Sequence, residues 1–399
     1  MTPFARRRAR LAAQMMSGTV AVLETAPEVT RNGDVHYPYR HNSAFYYLTG
    51  FTDPEAALVL VAATASAPAR SVLFCRAKNL QRETWEGFRY GPDAARSAFG
   101  VDEAHPIGEL AAWLGQADVQ EVAPLIDAMR VIKDAEEQAT MLRAATISGQ
   151  AHARAMRAAR PGMFEYELEA ELLYEFRRNG AQAPAYPSIV ATGANACVLH
   201  YSANDAQTRD GDLVLIDAGC EFDSYASDIT RTFPVNGRFS APQRQLYELV
   251  LAAQAAALSA VVPGRPYNGI HDAAVRVLTE GMFDCGLLSR DTAGSVDDAI
   301  ASRAYQQFYM HGTGHWLGLD VHDAGRYRDD EQSRPLMAGM ALTVEPGIYV
   351  RPGDGVPEQF WNIGIRIEDD VIVGERGARI LSGAAPKTIA EIEEWMVQT

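Results

Sequence analysis

Leu213-Val214-Leu215-Ile216-Asp217-Ala218-Gly219-Cys220 is the stretch from which the rest of this chain can be read. An apolar run closes on a carboxylate, so Asp217 has to be buried, and a buried anion is costly unless a cation compensates it. A metal pair is the natural compensation. Farther on comes Ser227-Asp228-Ile229-Thr230-Arg231-Thr232-Phe233, and between the two lies a polar turn, Glu221-Phe222-Asp223-Ser224-Tyr225. Two adjacent strands joined there would present Asp217 and Asp228 to one point. Surface hairpins often carry two aspartates, so the pair alone leaves a solvated hairpin open.

Three more candidates follow. His311-Gly312-Thr313-Gly314-His315 holds two imidazoles, and its glycines rule out the helical HExxH geometry, so the backbone there must be extended or looped. His322 lies seven positions past His315 and could approach the same cavity from a loop. Thr343-Val344-Glu345-Pro346-Gly347 and Ile365-Arg366-Ile367-Glu368-Asp369 each put a glutamate directly after a β-branched residue at a strand end. A solvated strand terminus is the competing interpretation. Yet the run from Ile363 to Val373 is otherwise so apolar that Arg366 and Glu368, alternating on one strand face, need a polar interior. Asp217, Asp228, His315, Glu345 and Glu368 together read as a two-metal hydrolase. Oxygen-rich ligation with one imidazole suits Mn²⁺, Co²⁺ or Fe²⁺ at least as well as Zn²⁺. Two such ions roughly 3.5 Å apart would hold a bridging hydroxide as nucleophile.

Composition bounds the alternatives. At 399 residues the chain exceeds what one core usually organises, and 47% apolar residues supply ample material for two domains. The net charge of −15, from 36 Lys and Arg against 51 Asp and Glu, argues against a nucleic-acid partner and for small or peptide substrates. Cys75, Cys197, Cys220 and Cys285 form no CxxC pair, which fits reduced thiols in a cytoplasm and excludes a zinc ribbon. The opening Met1 to Met16 carries Arg6, Arg7, Arg8 and Arg10 without a following apolar stretch, so it reads as an amphipathic helix and not a signal peptide. No segment approaches the roughly 18 apolar residues of a membrane span. A soluble, cytoplasmic protein with no membrane partner is expected.

Residues Thr19 to Leu23, Ala56 to Ala62 and Ser71 to Phe74 read as short strands, with helical patterns at Phe4 to Met15 and Ile107 to Leu114. This is a small α/β unit, residues 1–127. Its boundary is placed near Asp127, where Ala123-Pro124-Leu125-Ile126-Asp127 leads into a long helix, Asp134 to Arg160, with Asp134 and Glu137 as N-cap and capping box. Residues 128–399 then run helix, helix (Glu165 to Arg178, stopped by Gly180) and strands to Phe233. The order repeats with helices at Pro242 to Val262 and Asn268 to Cys285, and strands from His311 to Val373. Ligand candidates fall only in the two strand groups, as two halves facing one metal site would require.

These strings, together with Ile216-Asp217-Ala218-Gly219-Cys220, Trp316-Leu317-Gly318-Leu319-Asp320-Val321-His322-Asp323 and, nearer the start, Glu28-Val29-Thr30-Arg31-Asn32 and Tyr46-Tyr47-Leu48-Thr49-Gly50-Phe51, closely resemble the Xaa-Pro peptidases of the pita-bread metallopeptidase fold, aminopeptidase P and prolidase. The likeness covers nearly the whole chain. It implies an α/β N-terminal domain of the creatinase/prolidase type and an α+β pita-bread catalytic domain that binds two divalent ions per subunit, Mn²⁺ foremost. It further implies that Asp217 binds one ion and His315 the other, that Asp228 and Glu368 bridge, and that Glu345 is a ligand and proton shuttle. His200 and His322 would contact substrate, His322 steadying the scissile carbonyl, and His311, Tyr349 and Arg366 would complete the lining. The substrates would be short proline-containing peptides, whose Xaa-Pro bond has no N–H to grip.

Between about Val101 and Leu125 the first domain is shorter than in typical aminopeptidase P chains, lacking a segment that serves subunit contacts and the rim of the site. Its length is closer to compact prolidases. A dipeptide would also place a proline carboxylate in the cavity, where a cation must meet it. Arg351 is the candidate, supported by Arg366 if that guanidinium is not committed to metal ligands; a solvated loop charge is the alternative. The expectation is therefore a Xaa-Pro dipeptidase, with a Xaa-Pro aminopeptidase as the alternative. Trp85, in the polar segment Glu83-Thr84-Trp85-Glu86-Gly87, is expected to cover the rim of a neighbouring subunit's site in a homodimer or homotetramer, or else to belong to the first-domain core. A methionine aminopeptidase typically lacks so large a preceding domain, and the creatinase type lacks the complete metal set. A non-catalytic peptide-binding pita-bread protein is the remaining reading, against which the intact ligand set argues.

Overall fold

The chain divides into two units, Met1–Met129 and Arg130–Thr399, and the computed structural model describes residues 1–397. The division falls after Met129, two residues past Asp127, within the helix Ala123–Arg130 and not in a linker. In the first unit, β1 (Val20–Glu24), β2 (Ala57–Val61), β3 (Arg70–Cys75) and β4 (Glu103–Pro106) form one sheet in that order. Its first three strands are antiparallel and β4 joins parallel to β3. Alternate residues Val59, Val72 and Phe74 face one apolar cluster, while Leu58, Leu60 and Leu73 are buried on the opposite face. Both faces are covered, which is why these strands read as continuous apolar runs.

The basic opening forms α1 (Pro3–Ala12), capped by Thr2. Arg8 is buried and donates to the carbonyls of Leu48, Phe99 and Gly100 at the ends of two other helices. Cations are favoured at such helix C-termini. One of those helices is α2 (Ser43–Thr49). Another helix of this unit, α3 (Leu80–Glu86), buries none of its residues.

In the second unit, α4 (Ala135–Ala158) starts on the Asp134 capping box with Glu137, and α5 (Glu165–Arg178) ends where Gly180 takes φ +91°. A second pair, α6 (Ala241–Ala260) and α7 (Asn268–Asp284), follows. Each pair precedes a strand group. The first group centres on β6 (Leu213–Asp217), flanked antiparallel by β5 (Ile189–Thr192) and β7 (Thr230–Pro234). The second contains β8 (Ala341–Val344), β9 (Gly347–Val350), β10 (Ile363–Arg366) and β11 (Asp369–Val373). The helices' apolar faces and strand residues such as Val214, Ile216, Ile348 and Ile365 share one core. Among the described residues, no helix is long and apolar enough to cross a membrane.

Candidate active site

Beyond β6 and β7 their hairpin continues in one register. Asp217 pairs with Thr230, Ala218 N–H donates to Ile229, Ser227 N–H donates to Cys220, and Phe222 pairs with Tyr225. The tip is the two-residue turn Asp223-Ser224, both at positive φ (45° and 70°), the twist that tight hairpins require. This register sets Gly219 opposite Asp228 and leaves Asp217, Asp228 and Thr230 on one face. A side chain at Gly219 would strike the Ser227 carbonyl at 1.8 Å, so only glycine lets the strands close beside Asp228.

The second hairpin is interrupted at the site. Val344 pairs with Asp369 and Gly347 with Arg366 in one register, and between them Glu345-Pro346 and Ile367-Glu368 fall outside the strands, joined by Ile367 N–H donating to the Pro346 carbonyl at 3.3 Å. Pro346 has no N–H to donate to a ladder. On this register Glu345 stands directly opposite Glu368, and Arg366 shares the face of Glu368. Like charges opposed across a ladder are destabilising unless something positive lies between them. The segment from Thr313 to Leu317 runs extended along β8, with Glu345 N–H donating to Thr313, Thr343 N–H to His315 and Leu317 N–H to Ala341. A side chain at Gly314 would meet the Thr343 carbonyl at 2.0 Å, which explains the glycine before His315.

The hairpins lie side by side, with Glu368 N–H donating to the Thr230 carbonyl. His315 Nε2 is 3.2 Å from Asp228 Oδ2 and 3.7 Å from Glu345 Oε1, and its Nδ1 is 3.0 Å from the Trp316 carbonyl, which fixes the ring. The fully buried Thr230 hydroxyl donates to Glu368 Oε2 at 2.6 Å and accepts from Arg366 Nε at 3.1 Å. Arg366 also donates to Asp217 Oδ2 at 2.6 Å and to the Tyr349 hydroxyl at 3.0 Å, and that hydroxyl is 2.8 Å from His311 Nε2. Tyr186 donates its hydroxyl toward both Asp217 Oδ1 (2.6 Å) and Asp228 Oδ1 (2.5 Å).

Four carboxylates thus share the site with the guanidinium of Arg366 and the imidazole of His315. Burial, reinforced by the neighbouring carboxylates, pushes Asp228 upward and Glu368 well above the usual carboxylate range, and burial lifts Glu345 to about 7. Burial opposes protonation of His315, but its hydrogen bond to Asp228 and the charges of Asp228 and Glu345 raise it to about 9. Donor atoms of Asp228, His315 and Glu368 lie within 4.8 Å of one another. This excess of buried negative charge, with one imidazole and oxygen donors converging, fits divalent cations.

His322 is exposed on a loop, its ring centroid 4.2 Å from that of His315, and His200 is exposed as well. Burial and the charges of His315 and His200 push His322 downward. Three further residues singled out in the sequence have defined surroundings. Arg366 is committed to Asp217, Thr230 and Tyr349, so it cannot also receive a substrate carboxylate. Arg351 is exposed, and one nitrogen of its guanidinium is anchored, Nη2 donating to the Cys197 carbonyl at 2.6 Å. Trp85 is 85% exposed, which removes the core interpretation. Residues that sequence reasoning missed are Tyr186, Thr230 and Thr343, whose hydroxyl accepts from His315 N–H at 3.1 Å. None carries a charge or imidazole, and their only sequence signal is position within strings already singled out or, for Tyr186, an aromatic beside Pro187.

Residues 139–375 match metallopeptidase family M24, and residues 4–122 match the N-terminal domain of aminopeptidase P. A Xaa-Pro aminopeptidase of Haemophilus influenzae is 46% identical, the match covering 98% of this chain and 96% of the relative. A solved aminopeptidase of Pseudomonas aeruginosa is 47% identical with a TM-score of 0.94, covering 98% of this chain and 97% of that one. A zinc-substituted Escherichia coli aminopeptidase P, solved in complex with product, is 44% identical with a TM-score of 0.94, covering 99% and 98%. The α/β first unit and the doubled helix-and-strand second unit are thus an aminopeptidase P N-terminal domain and a pita-bread catalytic domain, and the chain belongs to metallopeptidase family M24.

Proposed function

We propose that this protein is a Xaa-Pro aminopeptidase, cleaving the bond between an N-terminal residue and proline in peptides longer than two residues. The observation that carries the proposal is that two apposed hairpins bring Asp217, Asp228, Glu345 and Glu368 together with His315 of the neighbouring extended segment, in a chain whose relatives of matching length are Xaa-Pro aminopeptidases. Two observations favour this reading over a dipeptidase: the relatives that match the chain over nearly its whole length are Xaa-Pro aminopeptidases, and Arg366 is engaged with Asp217, Thr230 and Tyr349.

Asp217 would hold one divalent ion and His315 the other, with Asp228 and Glu368 shared and Glu345 alongside. Mn²⁺ is the first candidate, ahead of Co²⁺, Zn²⁺ and Fe²⁺. Such ions supply an acidified water and stabilise charge on the carbonyl oxygen. Glu345, opposite Glu368 and 3.7 Å from His315, takes the proton from the attacking water and returns it to the proline nitrogen, which leaves as a basic amine. His322, exposed beside His315, donates toward the developing oxyanion, and His200 lines the same approach. Arg366 with Tyr349 and His311 holds Asp217 and the wall of the site. Trp85 caps the rim across a subunit boundary in a homodimer or homotetramer.

The test is hydrolysis of a Xaa-Pro dipeptide against a Xaa-Pro tripeptide by metal-stripped enzyme given Mn²⁺, Co²⁺ or Zn²⁺ separately. Preference for the tripeptide is expected. Preference for the dipeptide would restore the dipeptidase reading.

A further inference from the structure

The loop that carries His322 is held by an ionic clamp. Arg130 Nη2 donates to Asp320 Oδ2 at 2.7 Å and to Asp323 Oδ1 at 2.5 Å, so one nitrogen grips both ends of Asp320-Val321-His322-Asp323. Lys133 Nζ holds the other oxygen of Asp323 at 2.7 Å. Backbone bonds close the same loop: Asp323 N–H donates to Trp316 and Gly318 N–H to Asp320. A side chain at Gly318 would strike Asp323 Oδ2 at 2.3 Å, so the loop is packed against the clamp. The Arg130, Lys133 and Asp323 side chains are 6%, 1% and 1% exposed, whereas Asp320 is 47% exposed.

Buried charges are an expensive way to fill space, and an apolar cluster of similar volume would hold a loop at least as stably. What charges add is direction, because each bond is satisfied in one arrangement only. Apart from the backbone bonds that close the loop, no other side chain bonds His322: the loop lacks regular secondary structure, and among the described residues its ring meets the ring of His315 without a hydrogen bond of its own. We propose that Arg130, Lys133, Asp320 and Asp323 are positioning residues for the reaction, setting the direction of His322 toward the scissile carbonyl. The proposal rests on the role assigned to His322 above.

The experiment combines Asp320→Ala and Arg130→Met, each made in the wild-type and the His322→Ala backgrounds, with kcat and KM on a Xaa-Pro tripeptide, bound Mn²⁺ and thermal stability measured for all. Asp320 is half-exposed, so its variant keeps the fold and carries the test alone if Arg130→Met does not fold. Misplacing a catalytic group by about 1 Å can cost on the order of 10²-fold, and partial loosening by Asp320→Ala is expected to cost about tenfold in kcat. KM and bound Mn²⁺ should stay within about twofold, since the substrate grip and the ligands are not touched. In the His322→Ala background the same change should leave kcat unaltered, because a residue that acts through His322 has nothing left to aim. An equal fold-loss in both backgrounds overturns the proposal and makes the clamp a structural support. If His322→Ala by itself leaves kcat intact, the role of His322 falls, and the proposal falls with it.

Discussion

Replacing Thr230 by valine keeps shape and volume and removes one hydroxyl. In the structure that hydroxyl donates to Glu368 Oε2 and accepts from Arg366 Nε, at 2.6 and 3.1 Å, on a residue with no exposed surface. Water therefore cannot take its place. Both bonds involve ionised or ionisable groups, and bonds of that kind contribute about 1.5–3 kcal/mol each, so a total loss of about 2–4 kcal/mol is expected once some relaxation is allowed. At about 2–4 °C per kcal/mol, thermal unfolding should come several degrees earlier. Glu368 also loses the partner that orients it, and removing such a partner typically costs about 10–100-fold in metal affinity. Calorimetric titration of metal-stripped protein with Mn²⁺ measures that loss directly, and Thr230→Ser, which restores the hydroxyl, should return most of it. A valine variant that binds Mn²⁺ within twofold of the wild type would refute the claim that Thr230 holds Glu368 and Arg366 in place.

Asp228→Asn and Glu368→Gln should each abolish activity while leaving the circular dichroism spectrum unchanged, because the amide keeps shape but removes the charge that balances the ions; activity at full metal stoichiometry would sink the assignment. Arg351→Ala should lower cleavage of Xaa-Pro and of Xaa-Pro-amide equally, since its guanidinium is bound to the Cys197 carbonyl; a selective loss on the free acid would show that it meets a carboxylate after all. The Asp323 carboxyl is opposed by burial but held below its ordinary value by Lys133 and Arg130. Its contribution to stability is accordingly present above the unfolded value of about 3.9 and lost as pH falls through the depressed folded value, so Asp323→Asn should flatten the acid limb of a melting-temperature profile. Trp85→Ala should weaken subunit association and peptide cleavage together, as read by sedimentation and kinetics, and a fully active monomer would remove the cross-subunit role.

Much of the fold was legible because its causes are local. The Asp134 and Glu137 capping box, the stop at Gly180, the apolar run ending at Asp217 and the polar turn at Asp223-Ser224 each depend on residues a few positions apart. The candidate donors could be proposed as well, since a carboxylate at the end of an apolar run is conspicuous, and His315 follows Gly314 in a segment whose glycines exclude a helix. What only the tertiary structure decided is who faces whom. Glu345 stands opposite Glu368 through the register of a hairpin interrupted at Pro346, and Thr230 joins Glu368 to Arg366 across 138 and 136 positions of chain. Tyr186 reaches Asp217 and Asp228 without being a type of residue that announces a metal site. The commitments of Arg366 and Arg351 were likewise invisible, because a guanidinium's partner is set by the packing of distant segments, and the residue type records only that it needs one.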